Sequence, residues 1–239
     1  MTIPKKLFIT GFIGLIALLS IWVKEYMPLQ AFRPASAVSE PGWYPVLLID
    51  PGHGGTDGGA VSKDGTIEST LNLAIAQKLN GIASFYGIPT VMTRNSEEIQ
   101  YPDAADTISA KKKYDQQQRA AMIAQYPNGI LISIHQNFFP DARPKGAQVL
   151  YGHTAASERF GKLVHSNLMI CLNPENRRVA APIDASIYLL RNAECTAVLV
   201  ECGFLSNTEE TAQLKTQEYQ KELATVLAAS YLEYIQQKM

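Results

Sequence analysis

A chain of 239 residues with 21 basic and 22 acidic side chains is almost uncharged overall, and no basic run interleaves with aromatics. That excludes a surface built to attract nucleic acid. A hydrophobic content of 46% suits a globular domain plus one greasy segment, and the length suits a single large domain.

In chain order, the first feature is the uncharged run LFITGFIGLIALLSIWV at 7–23, preceded by Lys5 and Lys6. As a helix it spans roughly 25 Å, near the minimum for a bilayer. It reads as an uncleaved signal anchor, with the flanking lysines inside and the rest of the chain exported and facing outward. The competing reading is a cleaved signal peptide ending at Ala35-Ser36-Ala37. That site lies far beyond the apolar run, with Lys24, Glu25, Pro28 and Arg33 between. Residues 24–44 carry Pro28, Pro34, Pro41 and Gly42 and no apolar period, so they read as a linker. Residues 45–239 remain for the folded domain.

From Val46 onward, strand and helix signals alternate. Residues 46–49 form a strand, and Ile67, Leu71, Ile75, Leu79 and Ile82 mark a helical stripe. Gly87-Ile88-Pro89 breaks it before a second strand at 90–93. Residues 109–126 read as a polar helix whose Lys111, Lys112 and Lys113 form a solvated face. Strands at 129–134 and 147–151 precede a helix marked by Phe160, Leu163, Val164 and Leu168. Strands at 187–190 and 197–200 follow, then a C-terminal helix lined by Tyr219, Leu223, Val226, Leu227 and Tyr234. This alternation predicts an α/β fold: one open, mostly parallel twisted sheet with helices on both faces. No internal repeat or low-complexity tract is visible.

Three scattered cysteines do not make a disulfide framework. Cys195 and Cys202 flank the last strand, about 20 Å or more apart along extended chain, so they do not bridge each other. Cys171 with either partner stays open, and buried free thiols are the expectation.

Three strand-like runs end in chemically able side chains. Leu47-Leu48-Ile49 leads into Asp50-Pro51-Gly52-His53-Gly54-Gly55, residues 130–134 end in His135, and residues 197–200 end in Glu201. In open α/β sheets, ligands bind beyond the carboxyl ends of the strands. A zinc hydrolase needs neutral imidazoles and a carboxylate as ligands, with a position left for water. His53 and His135 supply the imidazoles. Glu68 supplies the carboxylate, at the start of the helix after the glycine-rich loop, where the helix dipole favours negative charge. Glu201 is then the carboxylate that moves protons. Spacing by itself leaves open a plain glycine-rich turn with two satisfied histidines. A dinucleotide fingerprint fails at Asp57, and no phosphate loop is present.

The stretch 50–55, then Asp57, Gly59-Ala60 and Glu68, resembles the opening of the zinc-dependent N-acetylmuramoyl-L-alanine amidases. Thr93-Arg94, Arg119, Ser133-Ile134-His135 with Asn137, Gly146, Val200-Glu201 and Gly203-Phe204-Leu205-Ser206-Asn207 continue the resemblance in family order. Thr196 stands where the family often has proline, and Gln125 where it often has asparagine. The resemblance implies an open α/β fold, zinc on His53, Glu68 and His135, and catalysis by Glu201. It implies peptidoglycan as substrate, cut between muramic acid and L-alanine. Gly146-Ala147-Gln148 with Tyr151, and Tyr188-Leu189-Leu190, look like the germination-specific amidases of spore formers. An activating protein partner is expected, because no targeting segment is visible. The rival readings are a catalytically inactive wall-binding protein and a zinc carboxypeptidase acting within the stem peptide. Arg94 and Arg119 are expected to anchor loops by ion pairs rather than bind substrate, Asn137 to orient a hydrogen bond or touch substrate, and His153 and His165 to play structural or surface roles.

Overall fold

The computed structural model describes residues 44–237. Six strands form one sheet in the order β2-β1-β3-β6-β4-β5. They are β1 (Leu47–Pro51), β2 (Thr90–Met92), β3 (Ile130–Asn137), β4 (Gln148–Tyr151), β5 (Ala181–Pro182) and β6 (Thr196–Phe204). The helices are α1 (Glu68–Phe85), α2 (Ile108–Ile123), α3 (Ala155–Leu172), α4 (Tyr188–Arg191), α5 (Thr208–Leu214) and α6 (Gln217–Gln236).

Strand alternation sorts the core into two layers. Leu47, Ile49, Ile130, Ile132, Ile134, Val198 and Val200 face the larger layer. There they meet Leu71, Ile75 and Leu79 of α1, Phe160, Val164 and Leu168 of α3, and Leu223, Leu227 and Tyr231 of α6. Leu48, Leu131, Ala197 and Leu199 face the smaller layer, with Ile123 of α2 and Leu190 of α4. Helices cover both faces, as the alternation predicts.

The sheet is mixed. β2, β1, β3 and β6 run parallel, but β4 pairs antiparallel with β6, and β5 follows β4. The cause is the connection after β3. Only residues 138–147 join β3 to β4, with no crossover helix, so the chain must turn back at the same end of the sheet.

Residues 187–190, expected as a strand, form the short helix α4 instead. A short apolar run fits either state by pattern. Here Leu190 is buried in the smaller core layer while Tyr188 and Leu189 stay part-exposed, and the edge position beside β4 is taken by β5. Cys195 and Cys202 are buried and free as expected, but Cys171 is exposed. The buried stripe of α3 runs Phe160, Val164, Leu168 to Leu172 and leaves Cys171 on the outer face. His153 is exposed, and His165 is buried with its Nε2 against the Arg178 carbonyl at 2.8 Å.

Among the described residues no helix is long and apolar enough to cross a membrane. The anchor and cleavage-site readings fall on residues outside those described.

Candidate active site

Sheet register builds the centre. Asp50 pairs with Ser133, and His135 pairs with Glu201 across β3 and β6. All four continue the face that carries Leu48, Leu131 and Leu199, so they point to one side at the carboxyl ends of the strands. Cys202, one residue on, belongs to the other face, as alternation requires. A cleft opens over this face, between Lys112, Asp115 and Gln116 of α2 and the segment from Ser186 to Leu190 that contains α4.

The glycine-rich loop after β1 brings His53 into that cleft. His53 adopts φ +60°, which histidine tolerates better than most side chains. Two buried arginines hold the loop by its carbonyls. Arg119 donates from Nη1 to the Pro51 carbonyl at 2.7 Å and from Nη2 to the His53 carbonyl at 2.6 Å. Arg94 donates to the carbonyls of Pro51 at 2.9 Å, Gly52 at 3.1 Å and Ser69 at 2.8 Å. Both thus anchor the loop, through its backbone carbonyls rather than by ion pairs alone. Gly52 is required by contact, since a Cβ there would lie 2.2 Å from Nε2 of His135.

Asp50 sits beneath the loop, almost fully buried. It accepts from Arg119 Nη1 at 2.8 Å, Ser133 Oγ at 2.5 Å and Thr93 Oγ1 at 2.6 Å. Burial alone raises its pKa, but the Arg119 charge and the two hydroxyls outweigh that and hold it below the ordinary value.

Glu68 opens α1, as the sequence predicts, and is buried. Its Oε2 accepts from the Ala60 amide at 2.8 Å, and its Oε1 from the Gln136 amide at 3.1 Å and Asn72 Nδ2 at 3.3 Å. The same Oε1 faces Nδ1 of His135 at 3.1 Å and Nε2 of His53 at 3.4 Å. One ligand atom each from His53, Glu68 and His135 lies within 4.8 Å of the others. A tetrahedral ion with bonds of about 2.1 Å has ligand edges of about 3.4 Å, so these three residues fit such an ion. Two imidazoles with one carboxylate suit zinc far better than calcium or magnesium, which prefer shells of oxygen. Burial disfavours a charged His53, yet Asp57 and Glu68 outweigh it and lift the ring to about 9. A metal ion binds by displacing such protons.

Glu201 differs from Glu68. Its Oε2 is buried and has no hydrogen-bond partner among the described residues. Burial lifts its carboxyl to about 7, with Glu68 adding to the rise while His135 and His53 oppose it. A buried carboxylate that faces a cleft, with one oxygen unpartnered among the described residues, is equipped to take and return a proton.

The four sequence-predicted site residues therefore converge. Asn137 is placed at the end of β3, where its carbonyl accepts from the Leu205 amide at 2.8 Å. Sequence reasoning missed Lys112, treated as part of a solvated face. It also gave Asp57 no role beyond its place in the motif.

An open α/β domain that gathers two imidazoles and two carboxylates in a cleft beyond its strand ends has the centre of a hydrolase. The N-acetylmuramoyl-L-alanine amidase family profile matches residues 47–231. The chain belongs to that family, and its reaction is hydrolysis of the amide between N-acetylmuramic acid and L-alanine in peptidoglycan. Among its relatives, the germination-specific N-acetylmuramoyl-L-alanine amidase of Bacillus subtilis strain 168 is 31% identical over 98% of this chain and 97% of that protein. The amidase LytC of the same organism is 26% identical over 87% of this chain but only 39% of its own length. Among solved structures, the CwlD amidase from Clostridioides difficile, in complex with the GerS lipoprotein, superposes with a TM-score of 0.77. It is 31% identical, over 80% of this chain and 98% of that one.

Proposed function

We propose that this amidase works with zinc held by His53, Glu68 and His135, uses Glu201 to move protons, and acts on spore cortex. The observation that carries the mechanism is Glu201 Oε2, buried without a partner among the described residues, on the strand position paired with His135. When bound, zinc supplies Lewis-acid polarisation of the scissile carbonyl and acidifies water. Glu201 accepts the proton that the attacking water gives up. It returns that proton to the nitrogen of L-alanine as the carbon–nitrogen bond breaks, leaving a lactyl carboxylate and a free amino terminus. Arg119 and Arg94 keep the His53 loop in place through its carbonyls. Glu68, held by two backbone amides and Asn72, needs no rearrangement to present Oε1 to both histidines.

The cortex role is supported by the germination-specific relative, which matches this chain nearly end to end, whereas LytC is much longer. Residues 7–23 would tether the enzyme outside the cytoplasmic membrane, next to the wall made there. A protein partner fits the same picture, since a solved relative is in complex with a lipoprotein.

Product analysis tests the chemistry. The full chain, zinc-loaded in detergent, is expected to free L-alanine amino termini from purified peptidoglycan and leave the glycan intact. Cleavage within the stem peptide would favour a carboxypeptidase, and no cleavage an inactive binder. Deleting the gene tests the role: growth should be normal, while spores should lack muramic lactam and fail to germinate. Normal lactam content would remove the cortex assignment and leave the amidase chemistry standing.

A further inference from the structure

The two histidines of the centre face Glu68 through different nitrogens. His135 presents Nδ1, at 3.1 Å from Glu68 Oε1, whereas His53 presents Nε2, at 3.4 Å. The other nitrogen of His53 is not free. Its Nδ1 lies 3.0 Å from Oδ2 of Asp57. Asp57 is itself fixed: Lys112 Nζ reaches Oδ2 at 2.9 Å, the Gly59 amide donates to Oδ1 at 3.3 Å, and its backbone bonds Gly54 in both directions. A neutral imidazole carries one proton, and a carboxylate can only accept. In the neutral ring that ligates a metal ion, Asp57 therefore keeps that proton on Nδ1 and leaves Nε2, on the side of Glu68, to the ion.

We infer that Asp57 is a positioning residue for the metal centre: it selects the Nε2-ligating form of His53, with Lys112 of α2 as its outer tether. This rests on the metal reading above and adds the cause of the ligand geometry. An outer carboxylate on a ligating histidine orients the ring and raises its basicity. His53 needs such a partner more than His135. It sits on a left-handed residue in a loop, while His135 is held on a central strand and wedged against Gly52.

The test measures zinc(II) affinity of the full chain by chelator competition, together with nitrogen-15 imidazole spectra of the zinc-loaded protein. Asp57→Ala is expected to weaken zinc binding by about 10- to 100-fold. Asp57→Asn, whose amide oxygen still accepts, should recover part of the loss. Lys112→Ala should cost no more than about fivefold, as expected of a part-exposed ion pair. In wild type the His53 Nδ1–H, assigned by its absence in His53→Ala, should be downfield and protected, and Asp57→Ala should abolish that signature. Unchanged zinc affinity in Asp57→Ala, or ligation of His53 through Nδ1 in wild type, would overturn the inference and leave the metal site intact. The wild-type spectrum decides even if Asp57→Ala does not fold. Wild type that binds no zinc would overturn the metal reading and this inference with it.

Discussion

The two buried glutamates of the site are shifted in opposite directions. Burial raises the Glu68 carboxyl, but His135 and His53 beside it outweigh that and hold it ionised well below the usual carboxylate range, while backbone amides occupy both its oxygens. Glu201 lacks such donors, and burial lifts it to about 7. Of the two, Glu201 is the one whose surroundings favour proton exchange. Glu201→Gln keeps the shape but cannot accept the proton. Its turnover should fall by roughly two to four powers of ten while zinc content, read by elemental analysis, stays at the wild-type level. A near-normal rate would remove Glu201 from the role. The base works ionised, so activity should fall as pH drops through its pKa. A bound cation stabilises the carboxylate and moves that acid limb below about 7. A wild-type kcat/KM profile that declines with rising pH from 5 to 7 would contradict this.

At the scale of elements, the cleft is a clamp between β1 and α2. Arg119 reaches from α2 to Asp50 and to two carbonyls of the loop, and also contacts Asp115 at 2.9 Å. Lysine cannot make that fan of bonds, because its ammonium is a point charge on a flexible stem. Arg119→Ala leaves Asp50 buried without its counter-charge, which should cost about 3–5 kcal/mol in urea unfolding. The same clamp predicts acid sensitivity. The folded pKa of Asp50 lies below its ordinary 3.8, so its stabilising contribution is present above that value. It is lost as pH falls through the folded pKa. Thermal melts of wild type should therefore drop more steeply below pH 4 than those of Asp50→Asn, which carries no such proton linkage. Parallel profiles would show that the pair does not set acid stability.

For the whole molecule, the prediction concerns place. We propose that residues 7–23 stay attached and hold the domain at the outer face of the membrane, because the run carries no charge and the candidate cleavage site lies well beyond it. Fractionation should find the intact N-terminus with membranes. A mature protein starting at Val38, shown by N-terminal sequencing, would instead establish secretion.

Much of the site is legible along the chain, for a local reason. Apolar runs that stop at His135, Glu201 or the 50–55 loop announce strand ends, and strand ends in an open sheet are where ligands bind. Alternation also predicts that Glu201 and Cys202 face opposite layers, and the core confirms it. The start of α1 at Glu68 follows from the apolar stripe behind it. What required the tertiary structure depends on partners distant in sequence. A four-residue apolar run cannot say whether it is strand or helix until a sheet edge accepts or refuses it, so α4 was not legible. The reversal of β4 is set by which end of the sheet the chain has reached. Cys171 is exposed because Leu172 completes the buried stripe. Above all, the link from Lys112 through Asp57 to His53 Nδ1 joins α2 to the metal-competent loop between residues 55 positions apart in sequence. Hydrophobic periodicity records which face of an element is buried. It does not record which nitrogen of a ring meets which oxygen, because that is decided only when the elements pack.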